Sequence, residues 1–217
     1  MPRVFLGIGH GGADSGAAAY GLFEKDINLV MGLACKHELE QYGVTVGISR
    51  IRDETDKLDE EISECNAFMP DLAVEIHNNA GGGDGFEVFV QTNAYATKSK
   101  ALGQAIEAEV KALGQNSRGV KTRLSGTVDY YGWLRGVKAP AVLCEGAFLD
   151  SKDRFIIDTI PEQEAFGVAY ARGILKMLGI TEKPATNSKL IAERDAAIKR
   201  AETAEDKLAK IKLAGGW

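Results

Sequence analysis

VFLGIGHGG, at residues 4–12, is an apolar run that ends at a histidine and a glycine pair. LAVEIHNNAGGG, at residues 72–83, repeats the pattern. Short apolar runs rich in β-branched residues and bounded by glycine are typical of buried strands, so each run predicts a strand that ends at its histidine. In open α/β sheets, ligands bind beyond the carboxyl ends of the strands. His10 and His77 therefore predict one site at one edge of a sheet.

The composition is that of a globular protein with one full-sized domain and a tail. The 217 residues are 45% hydrophobic and 26% charged, and the formal net charge is −5. This negative balance argues against a nucleic-acid partner, since proteins that bind the phosphate backbone usually have a basic face. No run approaches the roughly 18 apolar residues of a membrane helix, so no membrane partner is predicted. The start, MPRV, lacks the pattern of a signal peptide, which predicts synthesis in the cytoplasm.

The cysteines do not form a recognisable framework. Cys35, Cys65 and Cys144 are odd in number, widely spaced and without a CxxC pair. Disulfide scaffolds and cysteine-rich metal sites usually have paired, closely spaced cysteines. We therefore expect reduced, mostly buried thiols.

Further apolar runs alternate with helical patterns along the chain. Strands that alternate with helices predict an α/β sheet with helices on both faces. The predicted strands are residues 3–9, 43–49, 71–77, 85–91 and 140–145. The predicted helices are residues 24–41, 56–68, 97–114 and 161–178.

The composition of the chain changes towards its end. Residues 181–188 are predicted to form a linker after a domain at residues 1–180. Residues 189–217 are predicted to be a helical tail with one long polar helix. The apolar residues of this helix have heptad-like spacing interrupted by Arg194, which fits either an exposed spacer or a short coiled coil that forms a homo-oligomer. They are Leu190, Ala197, Ala201, Ala204, Leu208 and Ile211.

A third candidate ligand follows the first histidine. Glu24 stands at the predicted start of a helix, after a loop that begins where the first strand ends, so the chain can bring it beside His10. Two imidazoles and one carboxylate with a fourth position open form a common catalytic zinc set. A carboxylate in the first turn of a helix also complements the helix dipole, and this alternative stays open for Glu24.

A fourth polar group ends another apolar run, AVLCEG at residues 141–146. A carboxylate at this position is costly unless it is paired or faces a site. Strand alternation places Glu145 on the face opposite to Cys144. We interpret Glu145 as a general base and acid, the alternative being a strand-end carboxylate that binds a loop amide.

Other polar groups are given structural roles. His37 lies in the charged helical segment KHELE and is expected at the surface. Glu75 shares a strand face with His77 and either supports it or pairs with a neighbouring cation, and we favour the pairing. No GK[ST] motif follows the glycines of residues 7–12, so they do not predict a phosphate loop. They let substrate and metal approach the backbone.

A series of ordered motifs runs through residues 3–179. They are GHGG at 9–12 with Asp14 and Gly16-Ala17, EKDINL at 24–29, Ser49-Arg50 with Asp53, Asn66, Asp71-Leu72, IHNNA at 76–80, GFEVF at 85–89, RGVK at 118–121, Leu134-Arg135, PAVLCE at 140–145 and Phe148-Leu149. In these motifs the chain resembles the zinc-dependent N-acetylmuramoyl-L-alanine amidases of the third amidase family. That family occurs in bacterial autolysins, spore-lytic enzymes and phage endolysins.

The resemblance implies a fold and a set of site residues. It implies a twisted, mostly parallel sheet of about six strands flanked by helices. It makes His10, Glu24 and His77 the ligands of one zinc ion per chain and Glu145 the catalytic carboxylate. The residues predicted to contact the substrate are Gly12, Asn79 and Arg135.

The chain departs from the family pattern at a few positions. Ala147 stands where the family has a glycine, and Asp150-Ser151 replaces a pair that usually ends in asparagine. An arginine often found before the position of Asn66 is replaced around Glu61-Ile62. These departures remove none of the implied ligands.

The function implied by the resemblance is hydrolysis of the amide bond between N-acetylmuramic acid and L-alanine in peptidoglycan. Zinc would polarise the carbonyl group and bind the attacking water, while Glu145 would transfer the proton. Without a signal peptide, the protein would reach the wall after release, as in phage lysis or mother-cell lysis. The alternatives are another zinc hydrolase, such as a stem-peptide peptidase, and a wall-binding module without catalysis.

Overall fold

The structure is a computed structural model in which residues 1–183 are described. The strands are β1 (Arg3–Ile8), β2 (Ala18–Ala19), β3 (Leu22–Phe23), β4 (Thr45–Ile48), β5 (Leu72–Asn79), β6 (Phe86–Val90), β7 (Ser117–Lys121), β8 (Leu124–Ser125), β9 (Val128–Asp129) and β10 (Ala141–Phe148). The helices are α1 (Glu24–Gln41), α2 (Leu58–Phe68), α3 (Ala96–Ala112), α4 (Gly132–Gly136) and α5 (Ile160–Leu178), with a 3-10 turn at Lys152–Ile156.

Most of the predicted linker and all of the predicted tail lie outside the described residues. The domain boundary near residue 180, the coiled coil and the homo-oligomer therefore stay predictions. Within residues 1–183, no helix is long and apolar enough to cross a membrane.

Six strands form the central sheet in the order β4-β1-β5-β10-β6-β7. Strands β4, β1, β5 and β10 run parallel to one another. Strand β6 is antiparallel to β10, and β7 is parallel to β6, so these two strands run in the opposite direction. The sheet is therefore mixed but mostly parallel, as the resemblance implied.

Helices cover both faces of the sheet. On one face, α1, α3 and α5 contribute Ile27, Ile106 and Tyr170 to the larger hydrophobic core. On the other face, α2 and α4 contribute Cys65 and Trp133 to a smaller core. Burial of these apolar side chains stabilises each layer by roughly 25 cal/mol per Å² removed from water. The predicted α/β class with helices on both faces is confirmed.

The five predicted strands and four predicted helices are present, with ends that differ by up to a few residues. The sequence pattern missed β7, which has the sequence SRGVK and no fully buried residue. An edge strand of this kind lacks the apolar run on which the prediction of buried strands depends. Helix α4 was also missed because five residues are too few for a helical pattern.

The parallel register places three strand ends together. Ile8 at the end of β1 pairs with Ile76 in β5, one residue before His77. In turn, His77 pairs with Glu145 in β10. Because neighbours in register point to the same face of a sheet, the imidazole of His77 and the carboxylate of Glu145 lie side by side. The sheet itself therefore builds half of the candidate site.

Helix α1, which begins at Glu24, is held against the sheet by α5. Gly167 in α5 lies so close to α1 that a Cβ atom there would overlap the carbonyl oxygen of Met31 and crowd Cys35. Gly32 in α1 is also tightly packed, but its neighbour is the flexible end of the Ile8 side chain. The spacing of the two helices thus depends on the missing side chain at Gly167.

We predict that Gly167→Ala lowers the free energy of unfolding by about 1–3 kcal/mol, the usual cost of overpacking. Helix propensity alone would change stability in the other direction, since alanine is favoured over glycine by up to about 1 kcal/mol in a helix. Urea unfolding followed by circular dichroism measures the difference. Gly32→Ala is the matched control and should lose less, because the end of the Ile8 side chain can move. A more stable Gly167→Ala protein would contradict the packing argument.

Candidate active site

A cavity of about 270 Å³ opens where β1, β5 and β10 end. It brings together His10, Glu24, His77 and Glu145, which stand on four separate chain segments. Asn79 also lines it, so five of the seven predicted site residues share this cavity. The other lining residues are Ala17, Asn78, Ala80, Tyr131 and Leu143.

Glu24 is the first residue of α1, and its side chain is buried between the two histidines. Its Oε2 lies 3.2 Å from His10 Nε2, and its Oε1 lies 2.9 Å from His77 Nδ1. The backbone N–H groups of Ala17 and Asn78 donate hydrogen bonds to the same carboxylate, at 2.8 and 3.0 Å. The role of Glu24 is therefore more than complementing the helix dipole.

His10 follows β1 in a left-handed backbone conformation, with φ of 66°. Non-glycine residues rarely adopt this region, and such outliers are concentrated at functional sites. The turn directs Nε2 towards Glu24, while Nδ1 lies 2.8 Å from Asp14 Oδ2. Gly16 makes room for this arrangement, because a Cβ atom there would crowd both His10 and Glu24.

Two buried polar side chains form hydrogen bonds to the backbone around the loop that carries His10. Asn28 on α1 donates a 2.9 Å hydrogen bond to the carbonyl oxygen of Gly9. Arg50 donates to the carbonyl oxygens of Ile8 and Lys25, at 3.1 and 2.6 Å. These bonds tie the end of β1 to the start of α1. Both residues lie in the motifs quoted above, but the sequence alone predicted no role for either of them.

His77 near the end of β5 has one carboxylate at each ring nitrogen. Nδ1 faces Glu24, and Nε2 lies 3.3 Å from Oε1 of Glu75. The preferred interpretation of Glu75, an ordinary pairing with a neighbouring cation, is wrong. Its contact is with the ring of His77, because residues two apart on a strand share one face. Gly9 leaves room for the ring, since a Cβ atom there would overlap it.

For Glu24, His77 and His10, hydrogen bonds shift the pKa in the direction opposite to the effect of burial. Burial alone would raise the pKa of Glu24, but hydrogen bonds from His10 and His77 outweigh it and hold the pKa well below its usual range. Burial lowers the pKa of His77, yet hydrogen bonds to Glu24 and Glu75 raise it well above its ordinary value. Burial likewise lowers the pKa of His10, and Glu24 and Asp14 more than offset this. The cluster therefore favours an ionised carboxylate facing cationic or metal-bound imidazoles.

Glu145 lies in β10 between His77 on one side and Glu87 of β6 on the other. As strand alternation predicted, Cys144 points into the larger hydrophobic core while Glu145 lines the cavity. Burial raises the pKa of Glu145 to about 7, and the nearby carboxylate of Glu24 adds to the rise while His77 opposes it. A carboxyl group with a pKa near neutrality can both accept and donate a proton.

Asn79 is fixed at the cavity wall by Glu87. Its side-chain amide donates a 3.0 Å hydrogen bond to Glu87 Oε1, while Arg118 and Lys121 bind the other oxygen of Glu87. Tyr131 forms part of the same wall and packs on Phe89, with ring centroids 4.7 Å apart. Tyr131 was not predicted from the sequence, because it lies in a loop segment with no periodic pattern.

Two residues predicted to contact the substrate, Gly12 and Arg135, do not line the cavity. The N–H of Gly12 donates a 2.7 Å hydrogen bond to Asp53, and its carbonyl oxygen accepts one from Lys25. Arg135 on α4 donates to the backbone carbonyl of Asp129 at 2.8 Å. Both residues thus have structural partners, and their contact with substrate stays a prediction.

The remaining predictions concern groups outside the site. His37 is exposed on α1, as expected from its charged segment. Its Nε2 lies 2.8 Å from the side-chain amide of Gln41. Cys35, Cys65 and Cys144 are free and buried, as predicted.

The donor set of His10, Glu24 and His77 fits a metal ion. One ligand atom from each residue lies within 4.8 Å of the other two. Within residues 1–183 this is the one group of three or more histidine, cysteine or acidic residues with such spacing. Two imidazole nitrogens and a carboxylate oxygen match the borderline character of Zn²⁺ and leave a coordination position open.

Comparisons with known proteins identify the family of the chain. The family model described as N-acetylmuramoyl-L-alanine amidase matches residues 4–176. The amidase CwlM of Bacillus licheniformis is 33% identical over 81% of this chain and 71% of its own length. The endolysin of Bacillus phage SPP1 is 37% identical over 83% of this chain and 67% of its own.

A solved structure has the same fold. It is the catalytic domain of CwlV, an N-acetylmuramoyl-L-alanine amidase from Bacillus (Paenibacillus) polymyxa var. colistinus. The TM-score is 0.74 at 26% identity, and the match covers 83% of this chain and 100% of that one. With a family model that spans most of the described residues, the chain belongs to the N-acetylmuramoyl-L-alanine amidases of the third amidase family.

Proposed function

We propose that this peptidoglycan amidase is zinc-dependent and hydrolyses the amide bond between N-acetylmuramic acid and L-alanine. The observation that carries the proposal is the convergence of two imidazoles and one carboxylate in a cavity that also contains Glu145. Names of relatives, amidase and endolysin, support the same reaction on the bacterial cell wall. Action on the wall after release from the cytoplasm remains part of the proposal.

His10 Nε2, His77 Nδ1 and the carboxylate of Glu24 are the groups that would hold one zinc ion. A zinc ion in such a set supplies Lewis acidity that polarises a carbonyl group and acidifies water. Glu24 is anionic because the histidines hold its pKa well below the usual range. The two histidines serve as ligands, so the proton-transfer role passes to another residue.

Glu145 is the proposed proton carrier. Its carboxylate takes a proton from the attacking water and returns it to the leaving nitrogen of L-alanine as the amide bond breaks. The raised pKa of Glu145, about 7, suits both halves of this cycle. Asn79, which Glu87 orients at the cavity wall, is placed to bind polar groups of the substrate. Gly12, in the loop after β1, and Arg135, on α4, are proposed to bind substrate beyond the cavity.

The reaction is tested by product analysis on purified peptidoglycan of known composition. We expect new L-alanine amino termini and intact stem peptides, together with loss of activity in a chelator and recovery on adding zinc. Mass spectrometry of the released fragments and labelling of amino termini provide the measurement. Cuts within the stem peptide would identify a peptidase, and binding without turnover would identify a wall-binding module. Either result would overturn the proposal.

We predict that Glu145→Gln lowers kcat by about 10²–10⁴-fold, the usual contribution of general acid–base catalysis. The amide is nearly the same size but does not accept a proton from water. Zinc content measured on the same sample should equal that of the parent protein. Glu164→Gln, at an exposed position of α5, is the matched control and should retain full activity. Activity near that of the parent protein in zinc-loaded Glu145→Gln would remove Glu145 from the mechanism.

The pH dependence follows from the state in which Glu145 acts. As a general base it must be deprotonated, and burial raises its pKa to about 7. Activity should therefore rise with pH along one acidic limb, and a nearby zinc ion places that limb at or below pH 7. A profile of kcat/KM from pH 4 to 9, recorded with zinc content held constant, measures it. Activity that falls steadily as pH rises from 5 to 7 would contradict the assignment.

A further inference from the structure

A second cavity, of about 210 Å³, lies behind the two histidines. Its walls include the carboxyl groups of Asp56, Glu61 and Glu75 as well as the rings of His10 and His77. No lysine or arginine lines it. The mechanism above uses none of these carboxyl groups, so their burial beside the candidate zinc ligands needs an explanation.

Glu75 has the most constrained position of the three. Its side chain is 3% exposed, and its Oε1 lies 3.3 Å from Nε2 of His77. It pairs in register with Gly7 of β1, and a Cβ atom at Gly7 would overlap its Oε2. The missing side chain of Gly7 therefore leaves a space beside β1 that the carboxylate of Glu75 occupies.

This position is costly for stability. Oε2 of Glu75 is buried without a hydrogen-bond partner among the residues that the structure describes. A buried, unsatisfied polar atom usually costs a protein stability, and a carboxylate costs more than a neutral group. Groups of this kind that persist in a native structure call for a functional explanation. The contact with His77 provides one.

We propose that Glu75 is a positioning residue that fixes the orientation and the tautomer of His77 for zinc binding, an inference that rests on the proposed zinc site. When zinc is bound, His77 Nε2–H would donate to Glu75 Oε1 and leave the lone pair of Nδ1 for the ion, in place of the hydrogen bond that Nδ1–H donates to Glu24 in the metal-free protein. In the neutral ring, one nitrogen donates and the other accepts, so a hydrogen bond at one nitrogen decides the state of the other. A carboxylate behind a histidine ligand also increases its basicity.

Glu75 does not itself belong to the ligand set. It faces the nitrogen of His77 opposite to the one that faces Glu24, so one ion cannot contact both carboxylates through this ring. Within the described part of the chain, the cavity behind the histidines contains no group of three donors at metal-binding distance. The position of Glu75 thus supports a role through His77.

Asp14 has the corresponding contact with His10, at 2.8 Å from Nδ1, but its side chain is 69% exposed. Water competes for exposed hydrogen bonds and screens exposed charges, which weakens their effect. Glu75 is shielded from water, so we expect its removal to change zinc affinity more than removal of Asp14.

The experiment measures zinc affinity of the metal-free protein by competition with a chelating dye at pH 7.5. The parent protein should bind one zinc ion per chain. We expect Glu75→Ala to weaken binding 10–100-fold, the range usual for loss of such a partner. Glu75→Gln should weaken it by about 10-fold or less, because the amide oxygen still accepts the hydrogen bond without the charge.

Glu61→Gln is the matched control. Glu61 is a buried carboxyl group of the same cavity and accepts a hydrogen bond from the N–H of Ile8 at 3.1 Å, which glutamine can also accept. Burial and the neighbouring Glu75 raise the pKa of Glu61 well above its usual value, which favours the neutral form. Replacing it by glutamine should therefore change zinc affinity less than about 3-fold.

Two further readouts separate positioning from a merely structural role. In the zinc-loaded parent protein, the Nε2 proton of His77 should exchange slowly and appear downfield in the NMR spectrum, and Glu75→Ala should lose this signal. The melting temperature of each metal-free variant, measured by calorimetry, shows how far the substitution changes the stability of the fold itself. Loss of zinc affinity in a Glu75→Ala protein that melts with the parent would belong to the contact with His77 and not to unfolding.

Each outcome has one meaning. A parent protein that binds no zinc overturns the proposed function and with it this inference. If the parent protein binds zinc and both Glu75 variants bind it with the affinity of the parent, the inference alone is overturned. Equal losses in Glu61→Gln and Glu75→Ala would also overturn it, since the effect would then belong to the cavity and not to the contact with His77.

Discussion

The candidate site depends on the contact of one carboxylate, that of Glu24, with two imidazoles. His10 follows β1, His77 lies in β5 and Glu24 begins α1, so the contact joins three elements that are distant in the chain. It forms only if the first residue of α1 lies beside the ends of both β1 and β5. Helix α5 packs on the middle of α1, with a close approach at Gly167. Contacts far from the cavity therefore support the helix whose first residue is a candidate ligand.

Burying this anion requires many donors. The backbone N–H groups of Ala17 and Asn78 bind the Glu24 carboxylate, and the side-chain amide of Asn78 binds Asn28, which in turn binds the loop before His10. Such a network stabilises the fold only when its members have hydrogen-bond partners. Removing one partner of a buried ion pair costs about 3–5 kcal/mol, because the remaining charge is left unpaired. The donors of this network hold the Glu24 carboxylate in place, while Oδ1 of Asn78 is itself buried without a hydrogen-bond partner among the described residues.

The sequence predicted the residues that end apolar strands better than those that support them. His10, His77 and Glu145 stand out because a polar group after a buried run is expensive without a function, and Glu24 followed from its nearness to His10 in the chain. Glu75 was misinterpreted because the alternation of a strand gives its face but not its neighbours across the sheet. The gap at Gly7 in β1, which makes room for Glu75, is a tertiary feature. Edge strand β7 was missed for the same reason, since its partner β6 and not its own sequence makes it a strand.

The pKa values of two carboxyl groups in one cavity are shifted in opposite directions, and this difference supports the roles proposed for them. Glu24 receives hydrogen bonds from both histidines, and its pKa is held well below the usual range. Glu145 is buried between His77 and Glu87, and its pKa is raised to about 7. If the roles were exchanged, Glu145 would have to bind the metal as an anion without hydrogen bonds from the two histidines. Glu24 would have to carry a proton that its lowered pKa keeps it from taking up near neutral pH. Environments that separate the pKa values of two acids in this way are the means by which one site combines a fixed anion with a proton carrier.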